Sequence, residues 1–355
     1  MSRYAFLILP SHNRVYADAA PALAHAELAV LAASLPDGKI APDTVADTMI
    51  GGVRYVTFEA ADLSQRDVDV LANLSALYAL FEVSGELLRP VPLRRLDRFD
   101  DDLLTILKYP GKTNEQFTKL LLNVTLASSA FAGQAGARRL AVLDPLCGRG
   151  TTLNQALMYG FDAYGADLDA RDVEAYAVFI QRWLKDKRLK HQAGFAPVRR
   201  DHRVVAKRLT AQFAATKDEY KAGDVQRLDV IEADTARIGE FFRKESADLV
   251  AADLPYGITH GSHATGRGGG GFRAPARSPL ELLKSAAPVW VRALRPGGAL
   301  GVSWNTHVTR REDAAEALAA AGLEVLDSAA CRAFRHRVDA AITRDILVGR
   351  KPLRS

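Results

Sequence analysis

The chain of 355 residues contains little cysteine and has no long apolar run. Its two cysteines, Cys147 and Cys331, provide neither a disulfide framework nor the ligand spacing of a zinc site. No apolar stretch approaches the roughly 20 residues that a membrane-spanning helix needs. The apolar segment 4–9 is too short for a signal-peptide core and is followed by Pro10, so we expect no targeting segment. These features favour a cytoplasmic protein in a reducing compartment, with no metal site.

The net charge of +5 is modest, but the positive charge is concentrated in one segment. Residues 182–208 contain ten Lys or Arg and only two Asp. Such a basic segment is typical of contacts with nucleic-acid phosphates. The alternative is a solvated helix face or a disordered insert.

Two regions with different patterns make up the chain. Residues 1–98 predict a small α+β domain, with strands at 4–9, 53–59 and 77–83 and helices at 17–34 and 64–76. Residues 99–135 predict a polar linker followed by a helix. From 136 to 355 short apolar strands alternate with longer helices, which predicts a parallel sheet interrupted by the basic insert 182–208.

A glycine-containing loop follows the first strand of this second region. The run Asp144-Pro-Leu-Cys-Gly-Arg-Gly-Thr151 stands where that strand meets its helix, and ligands bind at this edge of doubly wound sheets. Gly148 and Gly150 let the backbone approach a ligand that faces the unpaired N–H groups of the helix start. The third glycine of a dinucleotide fingerprint is absent, which weighs against a nicotinamide cofactor.

Acidic residues end the next two predicted strands. Asp167 is placed to hold both hydroxyls of a cofactor ribose. Asp169 could instead cap the following helix. Asp234 could accept a hydrogen from an adenine amino group, and it could equally be a helix N-cap.

The segment Asp253-Leu-Pro-Tyr-Gly257 directly follows the apolar run 247–252. It could hold a planar group that carries an amino substituent, because the Asp253 carboxylate and the Leu254 carbonyl can each accept one N–H. The ring of Tyr256 would then stack on the planar group. The alternative is a simple strand-to-turn junction, since Pro-Tyr-Gly is ordinary turn chemistry.

These four segments, in this order, resemble the S-adenosylmethionine-dependent methyltransferases. The chain is more narrowly similar to the tRNA guanine-N2 methyltransferase family, including the tRNA guanosine-10 type, which usually carries a THUMP domain. The residues that carry the resemblance are 144–151, 165–169 and 253–257, and it covers about residues 105–350. The family usually has Asp/Asn/Ser-Pro-Pro-Tyr/Phe/Trp at the last of these segments, and here Leu254 replaces the first proline. A THUMP domain is not evident in the first 95 residues.

The resemblance implies an α/β fold with a Rossmann-like class I methyltransferase doubly wound sheet, mostly parallel with an antiparallel last strand, behind the smaller α+β domain. It implies S-adenosyl-L-methionine as cofactor and RNA, above all tRNA, as partner, bound through segment 182–208 and loop 264–273. The implied cofactor-binding residues are Asp144, Pro145, Cys147, Gly148, Gly150, Thr151, Asp167, Asp234 and Asp253. The implied catalytic residues are Asp253, Leu254, Pro255 and Tyr256.

Other functions share this pattern. DNA adenine-N6 and cytosine-N4 methyltransferases hold an amino group in the same way, and glutamine-amide methyltransferases hold a planar amide. A nonenzymatic nucleic-acid-binding protein could also keep the cofactor pocket. The retention of Asp253 and Tyr256 argues against that last interpretation.

Overall fold

The computed structural model describes residues 1–109, 111–256 and 278–354, so the predicted RNA-contacting loop 264–273 lies outside the described residues. The strands are β1 Ser2–Ile8, β2 Lys39–Ile50, β3 Val53–Ala61, β4 Leu77–Ser84, β5 Leu87–Val91, β6 Ala141–Asp144, β7 Asp162–Asp167, β8 His191–Arg200, β9 Arg203–Phe213, β10 Gln226–Glu232, β11 Ala247–Asp253, β12 Leu294–Asn305, β13 Glu324–Leu326, β14 His336–Arg337 and β15 Thr343–Arg350. The α-helices are α1 Arg14–Ala32, α2 Gln65–Leu71, α3 Asp102–Thr105, α4 Glu115–Ala127, α5 Thr151–Met158, α6 Ala170–Asp186, α7 Lys217–Lys221, α8 Pro279–Ala293 and α9 Arg311–Ala320. Short 3-10 helices lie at Ala132–Gln134, Thr235–Glu240 and Ala330–Arg332.

The N-terminal region forms an antiparallel sheet with the order β2-β3-β1-β4-β5. Helices α1 and α2 bury their apolar side chains against it, in a core that includes Phe6, Leu28, Phe58 and Leu71. The predicted strands and helices of this region are all present. Strands β2 and β5 were not predicted, and both lie within the predicted domain 1–98.

The second sheet has the order β13-β15-β12-β11-β6-β7-β10-β9-β8, and β14 pairs with β15. Strands β12, β11, β6, β7 and β10 are parallel, and β15 runs antiparallel to β12. Counting only the strands from β6 onward, and leaving out the β8–β9 hairpin and β14, the order is 3-2-1-4-5-7-6 with the seventh strand reversed. This topology confirms the predicted Rossmann-like class I methyltransferase fold.

Both faces of this sheet are covered by helices, as its apolar central strands require. Successive residues of β11 point to opposite faces. Leu249 and Ala251 pack into the core under α4, α5 and α6. Val250 and Ala252 pack into the core under α8 and α9. The carboxyl ends of the parallel strands therefore form one edge that is free to hold a ligand.

The basic segment 182–208 begins in the last turn of α6 and continues into an antiparallel β8–β9 hairpin, which extends the sheet beyond β10. The segment is thus a hairpin at the sheet edge, neither a helix face alone nor a disordered insert. Five of its ten basic residues form ion pairs with acidic neighbours, namely Arg182, Lys187, Arg200, Lys207 and Arg208. Much of its positive charge is therefore locally compensated.

Helix α1 lies between the two sheets. Its residues Tyr16, Ala20 and Leu23 share a core with Phe117 and Leu121 of α4. None of the helices described is long and apolar enough to cross a membrane.

Candidate active site

A cavity of about 410 Å³ opens at the carboxyl edge of the central strands. The ends of β6 and β11 supply part of its wall, and the segment before α4 supplies another part. Among the predicted site residues it is lined by Asp144, Cys147, Gly148, Thr151, Asp253, Leu254, Pro255 and Tyr256. The structure thus brings the two main predicted motifs, which are about 100 residues apart in sequence, to one cavity.

The loop after β6 has the backbone form that its glycines allow. Gly148 has a φ of +49° and Gly150 a φ of +81°. A Cβ on Gly150 would lie 2.4 Å from the Tyr176 ring, so close packing requires glycine there. At Gly148 nothing lies within 4 Å of the position that a Cβ would take. Gly148 therefore leaves open space beside the cavity, which fits the approach of a cofactor to the backbone.

Asp144 is buried at the end of β6, and its Oδ1 accepts a hydrogen bond from the Leu146 backbone N–H at 3.0 Å. Burial, together with the nearby Asp167 and Asp253 carboxylates, raises the pKa of Asp144 to about 7. A buried carboxyl beside an open cavity fits a cationic group of a ligand. Burial also raises the pKa of the Cys147 thiol, which agrees with a small buried residue and not with a nucleophile.

The acidic residues of the next strands are held by backbone N–H groups. Asp167 Oδ2 accepts from Gly148 at 2.7 Å and Oδ1 accepts from Asp169 at 2.9 Å. Asp169 caps α6 through Arg171 N–H, and Asp234 caps the following 3-10 helix through Ala236 N–H, both at 2.9 Å. The cap interpretations are confirmed for both residues. Cofactor contacts of Asp167 and Asp234 remain predictions, as does the predicted contact of Pro145.

The Asp253 carboxylate lies at the end of β11 and is surrounded by three hydroxyl groups. Thr113 Oγ1 donates to Oδ2 at 2.7 Å, and Ser303 Oγ donates to Oδ1. The Tyr256 hydroxyl lies 2.8 Å from Oδ1 and 2.7 Å from Oδ2. These donors fix the orientation of the carboxylate toward the cavity.

Leu254 explains how this loop stays ordered without the first proline of the related motif. Its side chain is only 2% exposed and packs in the core under α8. Its backbone N–H donates to the Ser303 carbonyl at 2.8 Å. Proline has no N–H and could not make this bond. A hydrogen bond and core packing thus provide the restraint that a proline ring would otherwise provide.

The Tyr256 ring is in contact with Arg344, a residue that the sequence did not indicate. The guanidinium carbon lies 5.0 Å from the centre of the Tyr256 ring and 4.1 Å from the centre of the Phe117 ring. Arg344 Nη2 donates to the Tyr256 hydroxyl, and it lies 3.9 Å from Asp253 Oδ2. Burial raises the pKa of the Tyr256 phenol. In this structure the Tyr256 hydroxyl donates to Asp253, at the place predicted for the amino group of the methyl acceptor. Arg344 covers part of the Tyr256 ring, which was predicted to stack on a base.

Thr113, Ser303 and Arg344 were missed by the sequence analysis. Ser303 had a usable signal, because it lies opposite Asp253 in the register of the parallel strands β12 and β11. Thr113 precedes α4, and Arg344 lies near the start of β15, far from any recognisable motif.

Comparison with known proteins supports the methyltransferase interpretation. Residues 115–267 match the model of the UPF0020 family, described as the RMKL-like methyltransferase domain. No curated protein matches the chain.

Solved structures with some similarity include methyltransferases. One is a TehB-like SAM-dependent methyltransferase from Corynebacterium glutamicum, with 16% identity over 61% of this chain and 84% of that chain and a TM-score of 0.32. A second solved structure with some similarity is that of the PH0226 protein from Pyrococcus horikoshii, with 13% identity over 72% of this chain and 97% of that chain and a TM-score of 0.36. A third is 1,6-didemethyltoxoflavin-N1-methyltransferase from Burkholderia thailandensis, bound to S-adenosylhomocysteine, with 16% identity over 63% and 76% and a TM-score of 0.34. Similarities of this size support no statement about the substrate.

The strand order, the glycine loop beside an open cavity and the family match over residues 115–267 agree on one class of enzyme. The cofactor of that class is S-adenosylmethionine. The chain is therefore an S-adenosylmethionine-dependent methyltransferase, and its residues 115–267 are similar to the RMKL-like UPF0020 methyltransferase domain.

Proposed function

We propose that this enzyme methylates an exocyclic amino group of RNA, and that guanine N2 of tRNA is the acceptor. The observation that carries the proposal is the position of the Asp253 carboxylate, which borders the cofactor cavity and is oriented by hydroxyl groups of three different segments. A carboxylate at this position can accept hydrogen bonds from an amino group of the substrate, because both of its oxygens are hydrogen-bond acceptors.

Methylation of an exocyclic amino group requires residues that position and activate its nitrogen. The amino group of guanine is a poor nucleophile, since its lone pair is delocalised into the ring. S-adenosylmethionine, when bound, supplies an electrophilic methyl carbon attached to a sulfonium. Asp253 and the Leu254 carbonyl would each accept one N–H of the amino group, which favours a tetrahedral nitrogen and holds it in line for transfer. Asp253 or a water molecule would then take the released proton.

The hydrogen bonds to Asp253 show which side chain must move before an acceptor amino group can bind. Ionised Asp253 has about four lone-pair positions, and the hydroxyls of Thr113, Ser303 and Tyr256 use most of them. Thr113 and Ser303 belong to the framework of the site. The Tyr256 hydroxyl is the donor that an acceptor amino group would replace. The Tyr256 ring would then turn toward the base, on which stacking contributes about 1–3 kcal/mol.

We also propose that RNA contacts the basic hairpin in segment 182–208 and the loop 264–273. The five basic residues of the segment with no ion-pair partner among the described residues support this, since a phosphate backbone could pair with them. Cytoplasmic localisation belongs to the same proposal and is supported by two buried free thiols.

Labelled S-adenosylmethionine incubated with separate pools of tRNA, rRNA, DNA and protein tests this function. We expect label in tRNA that digestion recovers as N2-methylguanosine. Asp253→Asn should lower the rate by about 100-fold or more. Asp218→Asn on the exposed helix α7 is the matched control and should keep full activity. Label confined to DNA or protein, or full activity of Asp253→Asn, would overturn the proposal.

A further inference from the structure

A second cavity, of about 440 Å³, adjoins the cofactor cavity at Thr113, which lines both. The N-terminal region contributes His12, Asn13 and Tyr16 to this second cavity, and the end of the chain contributes His336 and Arg344. Of the two, Asp253 lines only the cofactor cavity, but Thr113, which both cavities share, donates to the carboxylate that would hold the acceptor amino group.

His336 and Arg344 are directly opposite each other in the antiparallel pair of β14 and β15. Directly opposite residues of such a pair project to the same face. His336 is 7% exposed and Arg344 is 4% exposed, yet both line the cavity. In the described part of the chain, His336 Nε2 and Arg344 Nε have no hydrogen-bond partner. Buried polar atoms are rarely left unpaired, so two such atoms in paired residues of one cavity wall point to a ligand that reaches them when it binds.

The two side chains differ in hydrogen-bonding character. His336 Nδ1 lies 2.9 Å from the Phe334 carbonyl and donates to it, which leaves Nε2 as an acceptor in the neutral ring. Burial lowers the pKa of His336 to about 4, so the ring is neutral at physiological pH. The guanidinium of Arg344 can only donate. Two residues of the wall thus hold one unpaired acceptor and one unpaired donor among the described residues, both buried beneath the cavity surface.

We propose that this second cavity holds the acceptor base and that the His336–Arg344 pair selects guanine. The inference rests on the proposed function and adds to it the residues that determine specificity. In guanine the amino group stands between a ring N–H donor and a ring nitrogen acceptor. The ring N–H would donate to His336 Nε2, and the ring nitrogen would accept from Arg344. In adenine the amino group stands between two ring acceptors, and in cytosine it has one acceptor and a C–H. Either base would leave the His336 acceptor without a donor, which is costly in a buried site.

The N-terminal region takes part in this selection through Tyr16. Its ring meets the His336 ring edge-on, with the centres 6.1 Å apart, and it is itself buried. Asn13 caps α1 by accepting from Tyr16 N–H at 3.1 Å, which fixes the start of the helix at the cavity. The N-terminal region is therefore part of the base site.

Binding of free nucleotides to the full chain, saturated with S-adenosylhomocysteine, tests the inference without methyl transfer. Calorimetry or saturation-transfer NMR would compare GMP, AMP, CMP and 3-deaza-GMP, which lacks the ring acceptor proposed to face Arg344. We expect GMP to bind about tenfold or more tightly than the other three, as for a site that leaves a buried group unpaired.

Variants identify the residues responsible. His336→Phe should weaken GMP binding about tenfold and leave AMP binding unchanged. His191→Phe is the matched control, because His191 Nδ1 makes the same contact to a carbonyl two residues earlier but lies on β8. Arg344→Lys keeps the charge and should lose the discrimination against 3-deaza-GMP.

Several results would overturn the inference. These are equal binding of GMP and AMP, equal binding of GMP and 3-deaza-GMP, or no binding of GMP at millimolar concentration. The outcomes also separate the two proposals. N2-methylguanosine formed without guanine preference would contradict only this inference, whereas guanine preference with label elsewhere than in guanosine would contradict the proposed function.

Discussion

At the scale of single residues, Leu254 shows how one substitution within a motif can be compensated by its surroundings. Its N–H bond to Ser303 joins the loop to the next strand, and its side chain fills the core. The serine that accepts this bond also donates to Asp253 through its hydroxyl. One residue of β12 thus supports both the loop and the carboxylate.

Restoring the proline of the related motif should therefore damage this protein. Leu254→Pro removes the N–H donor and leaves a void in the core, so we expect the free energy of unfolding to fall by about 2–4 kcal/mol. Urea unfolding followed by circular dichroism measures the loss. Leu254→Met keeps the N–H and nearly the same volume, and it should cost less than about 1.5 kcal/mol. A proline variant as stable as the parent would show that neither contact restrains the loop.

The elevated pKa of Asp144 predicts a pH dependence of cofactor binding. Its folded-state pKa of about 7 exceeds the ordinary 3.8, so the buried carboxyl stabilises the fold at acidic pH and this contribution is lost as pH rises toward 7. S-adenosylmethionine carries a net positive charge and favours the ionised form. Its affinity should rise about tenfold from pH 6 to pH 8, with release of up to one proton.

Calorimetry at both pH values, in two buffers with different ionisation enthalpies, checks this prediction. S-adenosylhomocysteine lacks the sulfonium charge and should show a weaker dependence. Asp144→Asn should abolish the dependence for both ligands. An affinity for S-adenosylmethionine that is equal at pH 6 and pH 8 in the parent protein would contradict the assignment of Asp144 to the cation.

At the scale of secondary-structure elements, the sequence predicts the strands that have a clear hydrophobic pattern. It does not predict the strands that depend on pairing with distant segments. Strands β6 and β11 and residues 299–304 of β12 are mostly apolar and could be recognised. Strands β2 and β8 have mostly exposed or half-buried residues, and their pairing with a neighbour stabilises them more than their own pattern does.

The candidate site follows the same division. Asp144 and Asp253 stand at the ends of recognisable strands, so their meeting was predictable from the rule for parallel sheets. Arg344 reaches the site because β15 pairs antiparallel with β12. No local feature encodes that pairing, and a buried arginine between two aromatic rings could not be inferred from sequence.

The β8–β9 hairpin contains two kinds of basic residue, which predicts two different mutational effects. Arg199 and Arg203 are exposed near its turn and have no ion-pair partner among the described residues. Arg208 forms a two-point ion pair with Asp229 of β10. Changing both Arg199 and Arg203 to Glu should weaken tRNA binding and reduce the slope of log K against log salt by about 1–2.

Arg208→Ala provides the comparison, since its charge is already compensated. It should lower stability with little change in the salt slope. Filter binding of tRNA between low and physiological salt measures both variants. If the Arg199/Arg203 double variant binds with the parent's affinity and salt slope, the hairpin turn is not an RNA contact.

At the scale of the whole molecule, one buried polar cluster connects the N-terminal region to the methyltransferase domain. Glu27 of α1 accepts hydrogen bonds from the Ser75 backbone N–H at 3.0 Å and from Asn123 Nδ2 at 2.7 Å. Asn123 of α4 also accepts from the Tyr159 hydroxyl at 2.8 Å. Burial raises the pKa of Glu27 to about 7. Since the same α1 brings Tyr16 to the proposed base site, this cluster should position that site as well as stabilise the fold.

Glu27→Ala tests this connection. The change leaves the buried donors of Ser75 and Asn123 without an acceptor, so the free energy of unfolding should fall by about 2–4 kcal/mol. GMP affinity should fall with it while S-adenosylhomocysteine affinity holds, because none of the described residues of α1 lines the cofactor cavity, whereas Tyr16 of α1 lines the proposed base site. Glu86→Ala, at an exposed turn, should change none of these quantities. Equal losses of nucleotide and cofactor binding would mean that Glu27 supports the whole fold uniformly and that α1 has no separate role in placing the acceptor base.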